Sequence, residues 1–161
     1  ISRILSWEPN ARIVLHGVSM GAATVLMASG EDLPGNVKAV IADCGYTSEW
    51  DEFQREADTL HIPWFPVLNA TSVLSKVRDG YDFKQASALA QVKKSRIPTL
   101  FIHGSSDELV PYSMLGELYA AAACEKEELT VEGAGHALSS SVAPTLYWRT
   151  VEDFIAKYLD R

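Results

Sequence analysis

The feature that most constrains this chain is a Gly-x-Ser-x-Gly motif placed directly after an apolar run. Gly17, Ser19 and Gly21 form the motif, and the run extends from Arg12 to Leu15. A strand that turns straight into a helix passes close to that helix, so we expect the two glycines to provide clearance. Ser19 is then predicted to adopt strained backbone angles that direct its hydroxyl out of the fold. The motif therefore predicts a strand, a sharp turn and a helix in immediate succession.

Apolar runs and helical patterns alternate along the rest of the chain. Such alternation of strands with helices predicts a mostly parallel sheet flanked by helices, which is an α/β fold. Open sheets of this kind bind ligands at the carboxyl ends of their strands. The strands are predicted at residues 12–16, 37–43, 97–103 and 128–131, and the helices at residues 21–29, 112–124 and 143–159.

Two further motifs follow predicted strands and carry polar side chains. The segment His-Gly-Ser-Ser-Asp-Glu-Leu-Val-Pro begins at His103 and contains Asp107, and a glycine-rich segment ends at His136. The order Ser19, Asp107, His136 is the chain order of nucleophile, acid and base in α/β-hydrolases. On these motifs the chain resembles the α/β-hydrolase superfamily, and most of all its esterase and prolyl-oligopeptidase-like branch.

The resemblance implies a serine hydrolase that cleaves a small-molecule carboxylic ester through an acyl-enzyme. Ser19 would attack the carbonyl carbon, His136 would accept and later return the proton, and Asp107 would orient the imidazole. The backbone N–H of Met20, at the start of the next helix, would bind the oxyanion. This chemistry needs no metal ion and no organic cofactor. A thioesterase or a peptidase of the same fold is an alternative.

Each catalytic assignment competes with a structural interpretation. Ser19 is alternatively a turn serine, and His136 is alternatively a solvated turn histidine. Asp107 competes with its neighbour Glu108. The resemblance favours Asp107, because similar proteins place the acid before a two-residue spacer and a Val-Pro pair.

Two other polar residues at predicted strand ends are given structural roles. Asp43 ends the second predicted strand and is interpreted as closing the turn there, with substrate binding as the alternative. His103 ends the third predicted strand, just before a glycine, and is interpreted as structural.

The resemblance covers only part of the family's fold. Complete members have strands before the serine turn and a loop that supplies a second oxyanion-hole N–H, and neither has a counterpart before Arg12. We therefore expect residues 1–161 to form one domain, the C-terminal part of a longer protein. The strand edge from Arg12 to His16 is predicted to pair with another copy of the chain or with the N-terminal half. The alternative function is a non-catalytic fragment or interaction module with an incomplete oxyanion hole.

Residues 45–96 join two predicted strands by a connection longer than a plain crossover. Aromatic and aliphatic side chains occur along it, and prolines interrupt any single helix. In similar proteins, insertions at this place form a lid over the nucleophile. We expect a small helical cap whose apolar face lines an acyl pocket, with Trp64 and Phe65 as pocket candidates. The structural alternative is that these side chains only cover the sheet.

The net charge and the cysteines limit the classes of binding partner and the cellular compartment that the sequence predicts. The net charge of −7 disfavours nucleic acid and anionic membranes as main partners. The sequence contains no apolar run of the roughly 18 residues that a membrane-spanning helix needs. Cys44 and Cys124 have no metal-binding or redox spacing and are interpreted as free thiols in a reducing compartment, so a cytoplasmic location is predicted.

Overall fold

The structure is a computed structural model that describes residues 1–159. Strands and helices alternate along most of this length. Among these helices, none has both the length and the apolar character required to cross a bilayer. The elements, in chain order, are α1 Ser2–Trp7, β1 Ile13–Val18, α2 Met20–Ser29, β2 Val37–Asp43, α3 Glu49–Thr59, α4 Trp64–Asp79, α5 Ala88–Val92, β3 Thr99–Gly104, α6 Ser113–Ala121, β4 Lys126–Val131, α7 Ser139–Val142 and α8 Pro144–Tyr158.

The four strands form one sheet in the order β1-β2-β3-β4, and every neighbouring pair is parallel. The predicted fold class, a mostly parallel sheet flanked by helices, is confirmed. The register aligns the carboxyl ends of the strands, since Val18 lies opposite Asp43 and Gly104 lies opposite Val131. The segments that follow all four strands therefore meet at one end of the sheet.

Side chains alternate between the two faces of the sheet, and each face has its own hydrophobic core. On one face, Val40 and Phe101 pack with residues of α2, α5 and α6. On the other face, Ile41 and Leu100 pack with residues of α8, including Phe154. The central strands β2 and β3 are thus buried on both sides, which explains their continuous apolar sequences.

The two glycines of the serine motif have different structural roles, although the sequence predicts that both provide clearance between the strand and the helix. A Cβ added at Gly17 would lie 2.1 Å from the carbonyl oxygen of Gly21, so only glycine fits at that position. A Cβ added at Gly21 would meet no atom of residues 1–159 within 4 Å. The prediction that Gly21 provides clearance is therefore wrong. Helix α2 lies directly over Gly17 and leaves the space beside Gly21 open.

This difference predicts opposite effects of the same substitution at the two glycines. We expect Gly17→Ala to lower the free energy of unfolding by about 3 kcal/mol or more, because the backbone of α2 must move. We expect Gly21→Ala to raise it by roughly 0.5–1 kcal/mol, because alanine restricts the unfolded chain and favours the helix. Urea unfolding of both variants, with the wild type as reference, measures the two changes. If Gly17→Ala and Gly21→Ala lowered the free energy of unfolding equally, this account of the turn would be wrong.

The long connection between β2 and β3 forms a helical excursion from the sheet. A bridge between Ser48 and Ser87 brings its two ends together. Ser48 also caps α3 by accepting the N–H of Asp51 at 3.0 Å. Helix α5 falls within the predicted cap range of residues 45–96, but its Ala88 and Val92 belong to the core of the sheet. The part of the connection that leaves the sheet is therefore α3 and α4.

Candidate active site

Ser19 lies between the end of β1 and the start of α2. Its backbone has φ 55° and ψ −119°, the left-handed and strained conformation that the motif predicts for it. Its N–H donates to the carbonyl oxygen of Asp43 at 2.8 Å, which ties the turn to the end of β2. The backbone N–H of Met20 opens α2 beside it, at the positive end of the helix dipole.

The structure brings Ser19, Asp107 and His136 together in one hydrogen-bonded relay. The Oγ of Ser19 lies 2.7 Å from Nε2 of His136. On the other side of the ring, Nδ1 of His136 lies 2.8 Å from Oδ2 of Asp107. With Nδ1–H donating to the carboxylate, Nε2 is free to accept the serine hydroxyl proton. Proton transfer between a serine hydroxyl, an imidazole and a carboxylate requires hydrogen bonds of this length in this order.

The carboxylate of Asp107 is held rigidly by the turn that follows β3. Its Oδ1 accepts the N–H groups of Leu109 at 3.0 Å and Val110 at 2.9 Å. Its side chain is fully buried, whereas neighbouring Glu108 is exposed. Asp107, not Glu108, is therefore the carboxylate that contacts His136. Two residues separate Asp107 from Val110, and this spacing brings the Val110 N–H within hydrogen-bonding distance of the Asp107 carboxylate.

A second histidine touches the same carboxylate from within the core. His103 is buried, and its Nε2 lies 3.0 Å from the carbonyl oxygen of Val110 and 3.2 Å from Oδ2 of Asp107. A carbonyl oxygen only accepts, so Nε2 of His103 carries the proton. This agrees with a structural role for His103. The sequence carries no signal that its partner is Asp107, since that contact depends on the turn between them.

The loop that carries His136 is fastened to the loop that carries Asp107. Ser105 donates to Glu132 at 2.9 Å and accepts the N–H of Gly133 at 2.9 Å. A Cβ added at Gly104 would lie 2.2 Å from the carbonyl oxygen of Ala134, so the two loops touch through their backbones. This close approach holds Asp107 and His136 at a defined separation.

Asp43 has a different role from the one that the sequence favours. It is buried, and instead of closing the local turn it accepts the hydroxyl of Ser139 at 3.1 Å. Burial raises the pKa of this carboxyl, although the hydrogen bond from Ser139 favours its charged form. Asp43 thus links the end of β2 to α7, which follows His136.

The raised pKa of Asp43 predicts a pH dependence of stability. The native state holds this proton more tightly than the unfolded state, so stability falls as the pH rises through the folded pKa. We expect the free energy of unfolding of the wild type, relative to Asp43→Asn, to increase as the pH is lowered from 7 to about 4. Urea unfolding of both proteins across this range measures the difference. If this stability difference is constant, or decreases toward low pH, the pKa of Asp43 is not raised in the native state.

The two predicted pocket residues lie in different surroundings at the start of α4. Trp64 lines an apolar cavity of about 290 Å³ between α3 and α4, together with Phe53 and Phe83. Phe65 is 66% exposed and packs edge-on against Trp64, outside the lining of this cavity. The structure therefore associates Trp64, rather than Phe65, with an open apolar pocket.

One group of side chains at the site combines atoms that bind metal ions. The ligand atoms of Cys44, Asp107 and His136 lie within 4.8 Å of one another. Burial raises the pKa of the Cys44 thiol to about 12, so the sulfur carries a proton at neutral pH. A protonated thiol is a poor ligand. Asp107 and His136 are already bonded to each other. The arrangement thus fits proton transfer better than metal binding.

Comparison with known proteins places this geometry in a family. The model of the prolyl oligopeptidase family matches residues 6–161. The chain belongs to this family. It is also 32% identical over 146 residues to the uncharacterized protein YqkD of Bacillus subtilis, covering 89% of this chain and 47% of YqkD. The chain spans about half the length of the curated relatives it matches.

Two solved structures share the fold of this chain. The esterase domain of a Rhodothermus marinus protein superposes with a TM-score of 0.65 at 20% identity, covering 98% of this chain and 65% of that one. The acylaminoacyl peptidase of Pyrococcus horikoshii superposes with a TM-score of 0.68 at 18% identity, covering 99% of this chain and 26% of that one. The chain is also 31% identical over 157 residues to the alpha/beta hydrolase domain-containing protein WAV2 of Arabidopsis thaliana, covering 92% of this chain and 48% of WAV2. The predicted resemblance to the α/β-hydrolase superfamily is therefore confirmed, and this chain corresponds to part of the fold.

Proposed function

We propose that this member of the prolyl oligopeptidase family is a serine hydrolase that cleaves small-molecule carboxylic esters through an acyl-enzyme. The observation that carries the proposal is the relay of 2.7 Å from Ser19 to His136 and 2.8 Å from His136 to Asp107. A serine on a strained turn, bonded to an imidazole that a buried carboxylate orients, is the arrangement of an activated nucleophile.

In the proposed mechanism, Ser19 Oγ attacks the ester carbonyl carbon while Nε2 of His136 takes the hydroxyl proton. The imidazolium that forms is stabilised by Asp107, whose Oδ2 accepts its Nδ1–H. Collapse of the tetrahedral intermediate breaks the bond to the alcohol, and His136 returns the proton to that leaving oxygen. Water then attacks the acyl-enzyme with His136 as its base, which releases the acid and restores Ser19.

The N–H of Met20 is the proposed donor to the oxyanion. It is the first residue of α2, where backbone N–H groups have no partner within the helix. A donor of this kind contributes about 2.7–4 kcal/mol of transition-state stabilisation. The resemblance assigns the second donor to a loop that precedes the strand equivalent to β1, so we expect full activity to depend on that loop.

The proposal is tested by exposing the protein to a fluorophosphonate and measuring its intact mass. We expect one adduct, located on the peptide that contains Ser19, and hydrolysis of 4-nitrophenyl esters by the same preparation. A matched panel of thioesters and acyl-aminoacyl amides then separates esterase from thioesterase and peptidase activity. Folded protein without an adduct and without ester hydrolysis would favour the non-catalytic interpretation.

We propose that α3 and α4 form a cap and that Trp64 lines an acyl subsite. The apolar cavity of about 290 Å³ between these helices supports this, since its size suits a short or medium hydrocarbon chain. We expect Trp64→Ala to lower kcat/KM about tenfold for hexanoyl esters and to leave acetyl esters nearly unchanged. Phe65→Ala is the matched control, because Phe65 lies outside the cavity lining. An unchanged chain-length preference in Trp64→Ala would count against the subsite.

We also propose that the strand edge from Arg12 to His16 is an association edge. Within residues 1–159, β1 ends the sheet on that side, and the N–H groups of Ile13 and Ser19 bond toward β2. By alternation, Val14 directs its N–H outward. We expect the chain alone to self-associate in sedimentation and Val14→Pro to weaken this association. A monomeric wild type at micromolar concentration would contradict the proposal.

We propose a cytoplasmic location because neither of the two cysteines forms a disulfide. Cys44 and Cys124 are both free thiols. Free thiols are usual in reducing compartments. Fractionation of cells that produce the native protein tests the proposed location directly.

A further inference from the structure

His103 lies in the core against the candidate acid. It belongs to β3, is only 1% exposed, and its side chain contacts the fully buried carboxylate of Asp107. Its neighbours Phe101 and Ile102 in the same strand are apolar, so packing alone would be satisfied by an apolar side chain. None of the mechanistic steps above uses this imidazole. A buried polar ring costs stability unless it is hydrogen-bonded, so its contacts indicate what it does.

The imidazole holds Asp107 through the backbone of Val110. The Nε2–H of His103 donates to the carbonyl oxygen of Val110 at 3.0 Å. The N–H of the same Val110 donates to Oδ1 of Asp107 at 2.9 Å. Because Val110 makes both bonds, fixing its carbonyl oxygen also limits the movement of its N–H. His103 thus restrains Oδ1 of the carboxylate by way of Val110.

The same ring nitrogen lies beside the other carboxylate oxygen. Nε2 of His103 lies 3.2 Å from Oδ2 of Asp107, and that Oδ2 lies 2.8 Å from Nδ1 of His136. The two imidazoles therefore approach the same oxygen atom. The partial positive charge of the His103 N–H stabilises the carboxylate more strongly in this buried place than it would in water. A rotation of the carboxylate would break the bonds at Oδ1 and weaken the contacts at Oδ2.

The orientation of the His103 ring is fixed from a second direction by Tyr112. The two rings pack edge-on, with centroids 5.9 Å apart and an angle of 84° between their planes. The hydroxyl of Tyr112 lies 2.7 Å from Oγ1 of Thr130. Thr130 is also the residue of β4 that lies opposite His103 in the sheet. The direction in which Nε2 points is therefore set by the sheet and by the turn that follows β3.

We propose that His103 is a positioning residue that fixes the orientation in which Asp107 presents Oδ2 to His136. The inference rests on the proposed function, in which His136 takes the proton of Ser19. His103 acts on the reaction through Asp107 and does not itself exchange a proton with the substrate. If Asp107 rotated away, the imidazole of His136 would be free to turn, and the serine would lose its base.

Three substitutions at His103 test the proposal. His103→Phe keeps an aromatic ring against Tyr112 and removes the N–H, and His103→Leu removes the N–H with a smaller side chain that is easier to accommodate. His103→Gln keeps a side-chain N–H at about the same reach. We expect kcat for a 4-nitrophenyl ester to fall about ten- to a hundredfold in the two apolar variants, with KM within about threefold of wild type. His103→Gln is expected to recover most of the loss.

Thr99→Val is the matched control, because it removes a buried polar group from the other end of the same strand. Thr99 is 1% exposed, like His103, and its hydroxyl donates to the carbonyl oxygen of Ile97 at 3.0 Å. We expect Thr99→Val to lower the urea midpoint and to keep kcat near the wild-type value. Loss of stability in the core is thereby separated from loss of the orientation of Asp107.

Proton NMR completes the experiment with a measurement that needs no substrate. The hydrogen bond to Asp107 shifts the Nδ1–H resonance of His136 downfield, and we expect this resonance in the wild type, Thr99→Val and His103→Gln but not in the two apolar variants. An unchanged resonance in His103→Phe and His103→Leu, or a kcat within about threefold of wild type in both, would overturn the proposal. If the wild type hydrolyses no ester, the proposed function fails by itself, and the resonance still decides the role of His103.

Discussion

Replacing Ser19 or His136 by alanine is expected to lower kcat for ester hydrolysis by about 10⁴- to 10⁶-fold, and the double variant is expected to lose no more. The reason is that the two side chains act as one unit. The serine hydroxyl is a weak nucleophile without the base 2.7 Å away, and the base has no proton to take without the serine. Steady-state kinetics of the three variants on one ester measures the losses.

Two controls separate this effect from general damage to the site. Ser106→Ala removes an exposed hydroxyl beside Asp107, and His61→Ala removes an exposed imidazole on the α3–α4 connection. Both variants are expected to keep kcat within a few-fold of wild type. Losses that add up across Ser19 and His136 would show that they act independently, which contradicts the relay.

Asp107→Asn is expected to lower kcat by about 10⁴-fold near neutral pH while the fold persists. The amide can donate a hydrogen to Nδ1 of His136, which leaves the ring proton on Nε2, facing Ser19. A base that already carries its proton cannot accept another. The pH profile of kcat, with circular dichroism as a check on folding, measures this change.

Glu108→Gln is the matched control, because it changes the same group at the adjacent position. Glu108 is exposed, whereas the side chain of Asp107 is fully buried against His136 and His103. We expect Glu108→Gln to leave kcat within about twofold of wild type. A larger loss of kcat in Glu108→Gln than in Asp107→Asn would show that Glu108 supplies the acid.

Much of the fold follows from local patterns in the sequence. The apolar runs predict all four strands to within a few residues, since the central strands of a parallel sheet are apolar on both faces. The last helix is also predicted well, because Tyr147, Val151 and Phe154 recur on one face and are buried there. Residues 45–96 are predicted less well. The burial of α5 depends on its packing against α2, which no local pattern records.

The glycine motif shows the limit of local reasoning at the site itself. Gly17 and Gly21 are equivalent in the pattern, yet only Gly17 lies against the backbone of α2. Which glycine is crowded depends on the direction in which the helix leaves the turn. That direction is set by packing of α2 on the sheet, through residues such as Leu26.

The sequence by itself determined the order of the elements, the parallel sheet and the residue types placed at its carboxyl end, because these depend on short runs and motifs. Only the tertiary structure decided that Asp107 rather than Glu108 meets His136, that Asp43 binds Ser139, and that Cys44 lies beneath the relay. These contacts join residues that are far apart in the chain. The strand register brings these residues together, and no local pattern in the chain encodes that register.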